Sequence, residues 1–183
     1  MRGKPRYRSV LRFLSICGLA GLLAGCASMS PEECRTADWR DQGMRDGQNG
    51  QPRAYLEEHR EACGKVGIVP DAKQYEAGRA IGILRYCTPE NGLNEGRQGR
   101  SYRNACPAAL EPAFLERYKA GYRVYDAQRR VESLASEQRS KQYQLERAKD
   151  DRTRDSLRRQ LRDLDYSLRS ARDVLYYEER RLR

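Results

Sequence analysis

Cysteine, histidine and paired carboxylates are where chemistry would reside in this chain of 183 residues, and their spacing limits what that chemistry is. Six cysteines stand at positions 17, 26, 34, 63, 87 and 106, with no C-x₂-C pair among them. A single histidine, His59, cannot complete a zinc site of the usual kind, so neither a metal nor another cofactor is expected. His59 lies in "YLEEHREAC" among Glu57, Glu58 and Glu61, which predicts an exposed or helix-capping side chain rather than a general base. Adjacent carboxylates such as Glu57–Glu58 and Asp150–Asp151 have the composition of a glycosidase pair, but they sit in charged stretches where solvation accounts for them. Acid–base work would fall to Asp46, Asp71 or Glu76, beside the tyrosines. No nucleophile elbow, phosphate loop or metal motif occurs, and the chain reads as non-catalytic.

The N-terminus explains two of the cysteines. Arg2, Lys4, Arg6, Arg8 and Arg12 form a basic region without an acid, followed by the apolar run "FLSICGLAGLL". That run is too short to span a bilayer and reads, over residues 1–25, as an export signal. It ends in "LAGC", which resembles the bacterial lipobox, a motif that implies acylation of Cys26 and cleavage before it. Several acyl chains, at about 0.8 kcal/mol per buried CH₂, would hold the polypeptide on a membrane without a spanning helix. Ala27, rather than Asp, follows the cysteine. By the lipoprotein sorting pattern this implies the outer rather than the inner membrane, on the periplasmic side.

Four cysteines then remain in an oxidising compartment, so two disulfides are expected among Cys34, Cys63, Cys87 and Cys106. Of the three connectivities, Cys34–Cys63 with Cys87–Cys106 is favoured, because sequential pairs close short helical hairpins. Between them runs a repeated pattern. Trp39, Gly43, Gly47 and Gly50 follow each other at steps of three and four, as do Tyr75, Gly78, Gly82 and Tyr86. Gly92, Gly96, Gly99 and Tyr102 make a third stripe, and Tyr118, Gly121 and Tyr125 a fourth. Such steps place each set on one helix face. A face without side chains admits another backbone or an aromatic ring, so close helix packing is expected. The other use of this surface would be a cleft for a sugar or peptide chain, lined by Trp39, Asp46, Asp71, Tyr75, Gly78, Gly82, Tyr86 and Tyr102. Strand signals are nearly absent, and Asp71, after Pro70, is a ready N-cap. The prediction is an all-α, disulfide-stapled domain over residues 26–122.

The series Cys34, "ADW" at 37–39, Gly43, "DG" at 46–47, Cys63, "PD" at 70–71, Tyr75 with Gly78, "YC" at 86–87, the Gly96–Gly99–Tyr102 stripe and "CP" at 106–107 resembles one known group. It is the bacterial lipoprotein family labelled domain of unknown function 2799, and the resemblance covers roughly residues 26–125. It implies an envelope lipoprotein and carries no activity or catalytic residue with it.

Residues 123–183 contain no glycine or proline and two apolar heptad registers out of phase with each other. Between them, "KDDRTRDS" is rich in capping residues. An antiparallel helical hairpin folded near residue 153 brings the registers together, pairing 134 with 171; one continuous coiled-coil helix is the alternative. The chain has 36 basic and 26 acidic residues. Five basic residues belong to the signal segment, and the remaining excess lies wholly in the tail, where 17 cations, 15 of them arginine, face 12 acids. Outside the cytosol that excess suits lipopolysaccharide, peptidoglycan or an envelope protein, not nucleic acid. The function expected is a structural or interaction module held to the membrane by its lipid. A binding or hydrolytic module for peptidoglycan or glycan, using the glycine–tyrosine faces, is the alternative.

Overall fold

The structure, a computed structural model, describes residues 27–182. Cys26, the expected acylation site, and the signal segment before it lie outside the described residues. The chain forms α1 (Pro31–Thr36), α2 (Trp39–Gln48), α3 (Tyr55–Gly64), α4 (Ala72–Tyr86), α5 (Pro89–Arg97), α6 (Glu111–Arg147) and α7 (Asp151–Arg180). No strand occurs among the described residues. Each helix start with a side-chain cap uses a short polar residue. Ser30 forms a capping box with Glu33, and Asp38, Asp71, Thr88 and Asp150 cap α2, α4, α5 and α7. Each such cap contributes about 1 kcal/mol.

The glycine stripes pack on one another, two by two. α2 crosses α4 so closely that a Cβ on Gly43 would stand 2.0 Å from the Tyr75 carbonyl oxygen, and one on Gly82 would stand 2.1 Å from that of Met44. Gly47 and Gly78 are equally confined by backbone atoms of the facing helix. The stripe on α5 meets α6 in the same way, with Gly92 against the Phe114 carbonyl, Gly96 against that of Tyr118 and Gly121 against that of Leu93. Glycine Cα–H groups thus face carbonyl oxygens, contacts worth about 0.5–1 kcal/mol each.

The two pairs are copies of one unit. Gly43, Gly47 and Gly50 on the first correspond, at constant spacing, to Gly92, Gly96 and Gly99 on the second. Tyr75, Gly82 and Tyr86 likewise correspond to Phe114, Gly121 and Tyr125. Gly50 and Gly99 both turn the chain with left-handed backbone (φ 65° and 66°). Each lies under the tyrosine ring of its partner helix, Tyr86 or Tyr125. Arg79 donates to the Gln51 carbonyl in the first unit, and Tyr118, in the equivalent place, donates to the Arg100 carbonyl in the second.

Disulfides fasten the ends of these units. Cys34–Cys63 ties α1 to α3, and Cys87–Cys106 ties the end of α4 to the segment entering α6. The first bridge is buried with Met29, under Trp39, Val66 and Ile68. The second lies in a cluster with Ile83, Tyr86, Ala105 and Phe114. Each bridge contributes about 2–4 kcal/mol in a domain with little other apolar core.

α6 then continues through the 122/123 boundary without a break, because nothing after Gly121 stops a helix. The chain reverses at Ala148–Asp150 and α7 returns antiparallel, with Leu134, Leu164, Leu168 and Ala171 forming the seam. The hairpin is therefore real, but its centre is at Lys149, not near residue 153. Two heptad registers leave the centre undetermined in steps of about half a heptad, and the structure adopts the neighbouring solution, sliding the arms by one heptad. Leu134 accordingly packs with Leu164 and Leu168 near the middle of the seam.

Two measurements check this architecture. Gly78→Ala would place a Cβ 1.8 Å from the Arg40 carbonyl oxygen. It should lower unfolding stability by about 3 kcal/mol or more, whereas Gly64→Ala, with nothing within 4 Å, should be neutral or gain up to about 1 kcal/mol. Cysteines replacing Arg123 and Glu178, whose side chains pair at 3.0 Å, should be joined within a monomer by a short bis-maleimide. On a single continuous helix they would lie about 80 Å apart and remain unlinked.

Candidate functional site

The most concentrated polar chemistry is buried in the first unit. α2 contributes Asp46, in its last turn; α3 contributes His59 and α4 contributes Tyr75. The His59 ring, 1% exposed, sets Nε2 2.8 Å from Asp46 Oδ2 and Nδ1 2.9 Å from the Ser28 hydroxyl. Tyr75 donates to the same Asp46 oxygen at 3.0 Å, and the Gln42 amide donates to both oxygens of that carboxylate. In the neutral imidazole, Nε2–H donates to Asp46 and Nδ1 accepts from Ser28, so every group is satisfied. Burial, and after it the Asp46 charge, pushes the Tyr75 hydroxyl far above the usual phenol range.

His59 is therefore a core residue, contrary to the exposed role expected of it. Its glutamates lie one or two positions away and point to other sides of α3. The residues that share its face are Tyr55, Leu56, Ala62 and Cys63, three and four positions away, and these are apolar. That signal was present and would have identified a buried histidine. The Tyr55 ring meets His59 edge-on at 4.9 Å, Tyr75 at 5.8 Å, and Trp39 covers a third side at 6.3 Å.

Serine, histidine and aspartate in one hydrogen-bonded chain have the composition of a nucleophilic triad. Here the serine meets Nδ1 and the aspartate Nε2, and aromatic rings cover the imidazole. None of the three lines either groove of the hairpin described below. What the arrangement does is join the segment before α1 to three helices. Among the described residues, no group of histidine, cysteine and carboxylate side chains is placed to hold a metal ion.

None of the eight residues considered as a binding face lines either groove described below. Asp46, Tyr75, Gly78, Gly82 and Tyr86 are buried, the glycines beneath backbone and Tyr86 against Gly50. Trp39 is half-buried against His59, and Asp71 is exposed as the N-cap of α4. Tyr102 is half-buried, donating to Glu111 and accepting from the Cys106 amide. Glu95, which stands where Asp46 stands in the first unit, accepts from Tyr86 and Arg100. Burial leads in pushing the hydroxyls of Tyr86 and Tyr102 up to about 12, with Glu95 and Glu111 adding to it. Sequence reasoning assigned no role to Arg79. It is buried, donates to the Gln51 and Ala105 carbonyls, and keeps an unpartnered Nε.

Open concave surface occurs instead along the hairpin. A groove of about 710 Å³ lies between the start of α6 and the end of α7, with Arg117, Lys119, Arg123 and Arg181 on its walls. A second, of about 780 Å³, has Ala127 and Ala171 on its floor, with Ser167, Ser170, Arg123 and Arg130 around them. The exposed rings of Tyr122 and Tyr166 stand at its sides.

Residues 38–123, which hold both glycine units and the first third of α6, match a family described as "Protein of unknown function (DUF2799)". The segment before α2 and most of the hairpin lie outside that match. No curated protein and no solved structure matches the chain.

The network predicts an asymmetry between two substitutions. Asp46→Ala strands the His59, Tyr75 and Gln42 donors and should cost about 3 kcal/mol in urea unfolding. Tyr75→Phe removes one donor and creates the side chain that Phe114 already provides in the second unit, so about 1 kcal/mol is expected. Equal losses would show that Asp46 is not the acceptor on which the cluster depends.

Proposed function

We propose that this chain is a non-catalytic, lipid-anchored protein of the bacterial cell envelope, held by acylated Cys26 on the periplasmic side of the outer membrane and presenting its arginine-rich hairpin to a partner. The basic, apolar and "LAGC" segments support the anchor. Two disulfides suit an oxidising compartment. The observation that carries the interaction role is α6 itself. A single helix of 37 residues has its first turns in the glycine-packed interior and its remainder in the hairpin, so the hairpin is displayed from a fixed base. The interior of that base is filled with backbone and its own side chains, and the two grooves described lie on the hairpin.

Its arginines match phosphate or carboxylate groups, as on lipopolysaccharide, peptidoglycan or an acidic envelope protein. A glycan-binding reading is favoured by one feature, the pair of exposed tyrosines in the groove of Arg130, since aromatic faces take sugar rings and arginine takes their acidic substituents. Arg123 in the same groove is paired with Glu178.

Metabolic labelling with palmitate and membrane fractionation test the anchor. Wild type should carry label and fractionate with the outer membrane, and Cys26→Ala should lose both. Sedimentation of the full mature chain with peptidoglycan at low and high salt tests the hairpin. Salt-sensitive binding weakened by Arg123→Gln with Arg130→Gln supports charge recognition. Salt-resistant binding lost with Tyr122→Ala and Tyr166→Ala supports the glycan reading.

A further inference from the structure

The chain enters its fold almost at the anchor position. Ser28 is already bonded to His59, Met29 is 7% exposed beside the Cys34–Cys63 bridge, and Ser30 caps α1. Cys26 is two residues before Ser28, a reach of at most about 7 Å. Acyl chains on that cysteine would have no tether, and the surface around Ser28 and Met29 would lie against the lipid headgroups.

One exposed apolar element adjoins residues packed on the same cluster. After α3 the chain runs Lys65-Val66-Gly67-Ile68-Val69-Pro70. Val66 and Ile68 turn inward onto the cluster containing Met29 and the disulfide. The turn is fixed: Cys63 accepts from the backbone N–H groups of Val66 and Ile68, and Gly67 takes the left-handed conformation (φ 74°) that the reversal requires. Pro70 is buried, which closes the loop. Val69 is left outward, 81% exposed, the most exposed large hydrophobic side chain among the described residues. Lys65, four residues earlier, is two-thirds exposed, its ammonium 3.7 Å from the exposed Glu61 carboxylate.

We infer that the loop over residues 65–69 is a membrane-docking element, with Val69 entering the interfacial layer of a phospholipid bilayer and the Lys65 ammonium meeting lipid phosphate. The inference rests on the lipid-anchor reading and deepens it. The anchor position decides the occupant, because acyl chains attached this close to Met29 bring a bilayer to the loop before any other partner. The disulfide and the Ser28–His59 bond keep the two membrane contacts at a fixed separation, so the domain has a set orientation on the bilayer. An apolar tip with a flanking lysine fits the amphipathic boundary, the methyl groups going in and the ammonium reaching out.

The test uses the full acylated protein reconstituted into vesicles of phosphatidylethanolamine and phosphatidylglycerol. Val69→Cys, labelled with an environment-sensitive fluorophore, should shift to the blue on reconstitution and be quenched by lipids spin-labelled near the headgroup. Val69→Glu should stay folded and float with the vesicles through its acyl chains. A protein that floats while the probe at 69 stays water-like and unquenched overturns the docking and leaves the anchor standing. A wild type that does not float overturns the anchor and the docking with it. A blue shift already present before vesicles are added would mean that another copy of the chain covers the loop, and also overturns the inference.

Discussion

Helices in the two glycine units touch through their backbones, and the rest of the domain is arranged around the absence of side chains between them. At such a separation no larger residue fits, because a Cβ on any of the interfacial glycines would fall within about 3 Å of a facing backbone atom. Glycine in a helix costs about 1 kcal/mol in lost chain freedom, and these interfaces bury little apolar surface in exchange. Stability is supplied at the margins. Two disulfides, the side-chain caps of α2, α4 and α5 and aromatic rings laid over the turning glycines hold in place helices that have little oily interface of their own.

Set side by side, the two units separate what is geometric from what is chemical. Both copies keep the left-handed turn, the tyrosine above it and every interfacial glycine but Gly78, in whose place the second unit has Arg117. Everything else has diverged. Tyr75 has become Phe114, Asp46 has become Glu95, and Arg79 has become Tyr118 while still reaching the corresponding carbonyl. The first copy also has α3 laid over it and a buried ionisable network, whereas the second is covered by the Phe114–Tyr102–Tyr118 ring cluster. A polar interior and an aromatic one are thus two solutions for sealing the same backbone frame.

Much of this was legible in the chain because it is periodic. Glycine stripes at steps of three and four, sequential cysteine pairs and a glycine-free heptad tail report local geometry, and local geometry is what a sequence encodes most directly. Which stripe meets which is a long-range fact. Four similar stripes carry no mark of partnership until the constant spacing between Gly43/Gly92 and Tyr86/Tyr125 is noticed. His59 was misplaced because its immediate neighbours were weighed instead of those a turn away. The hairpin centre was misplaced because heptads are degenerate, and the capping residue Asp150, not the arithmetic of the leucines, decides where α7 begins.

The shared helix makes the fold a machine in the elementary sense. α6 bears on the second glycine unit where Gly121 meets the Leu93 carbonyl, and that contact acts as a fulcrum. The long arm, from Gly121 to Arg147, is about 39 Å, and the short arm back to Phe114 is about 10 Å. Phe114 lies in the cluster of the Cys87–Cys106 bridge, so the short arm ends in a covalently stapled part of the domain. A sideways load at the hairpin tip therefore reaches that cluster multiplied roughly fourfold in force and divided by the same factor in travel. The covalent bridge at that end is placed where leverage is greatest.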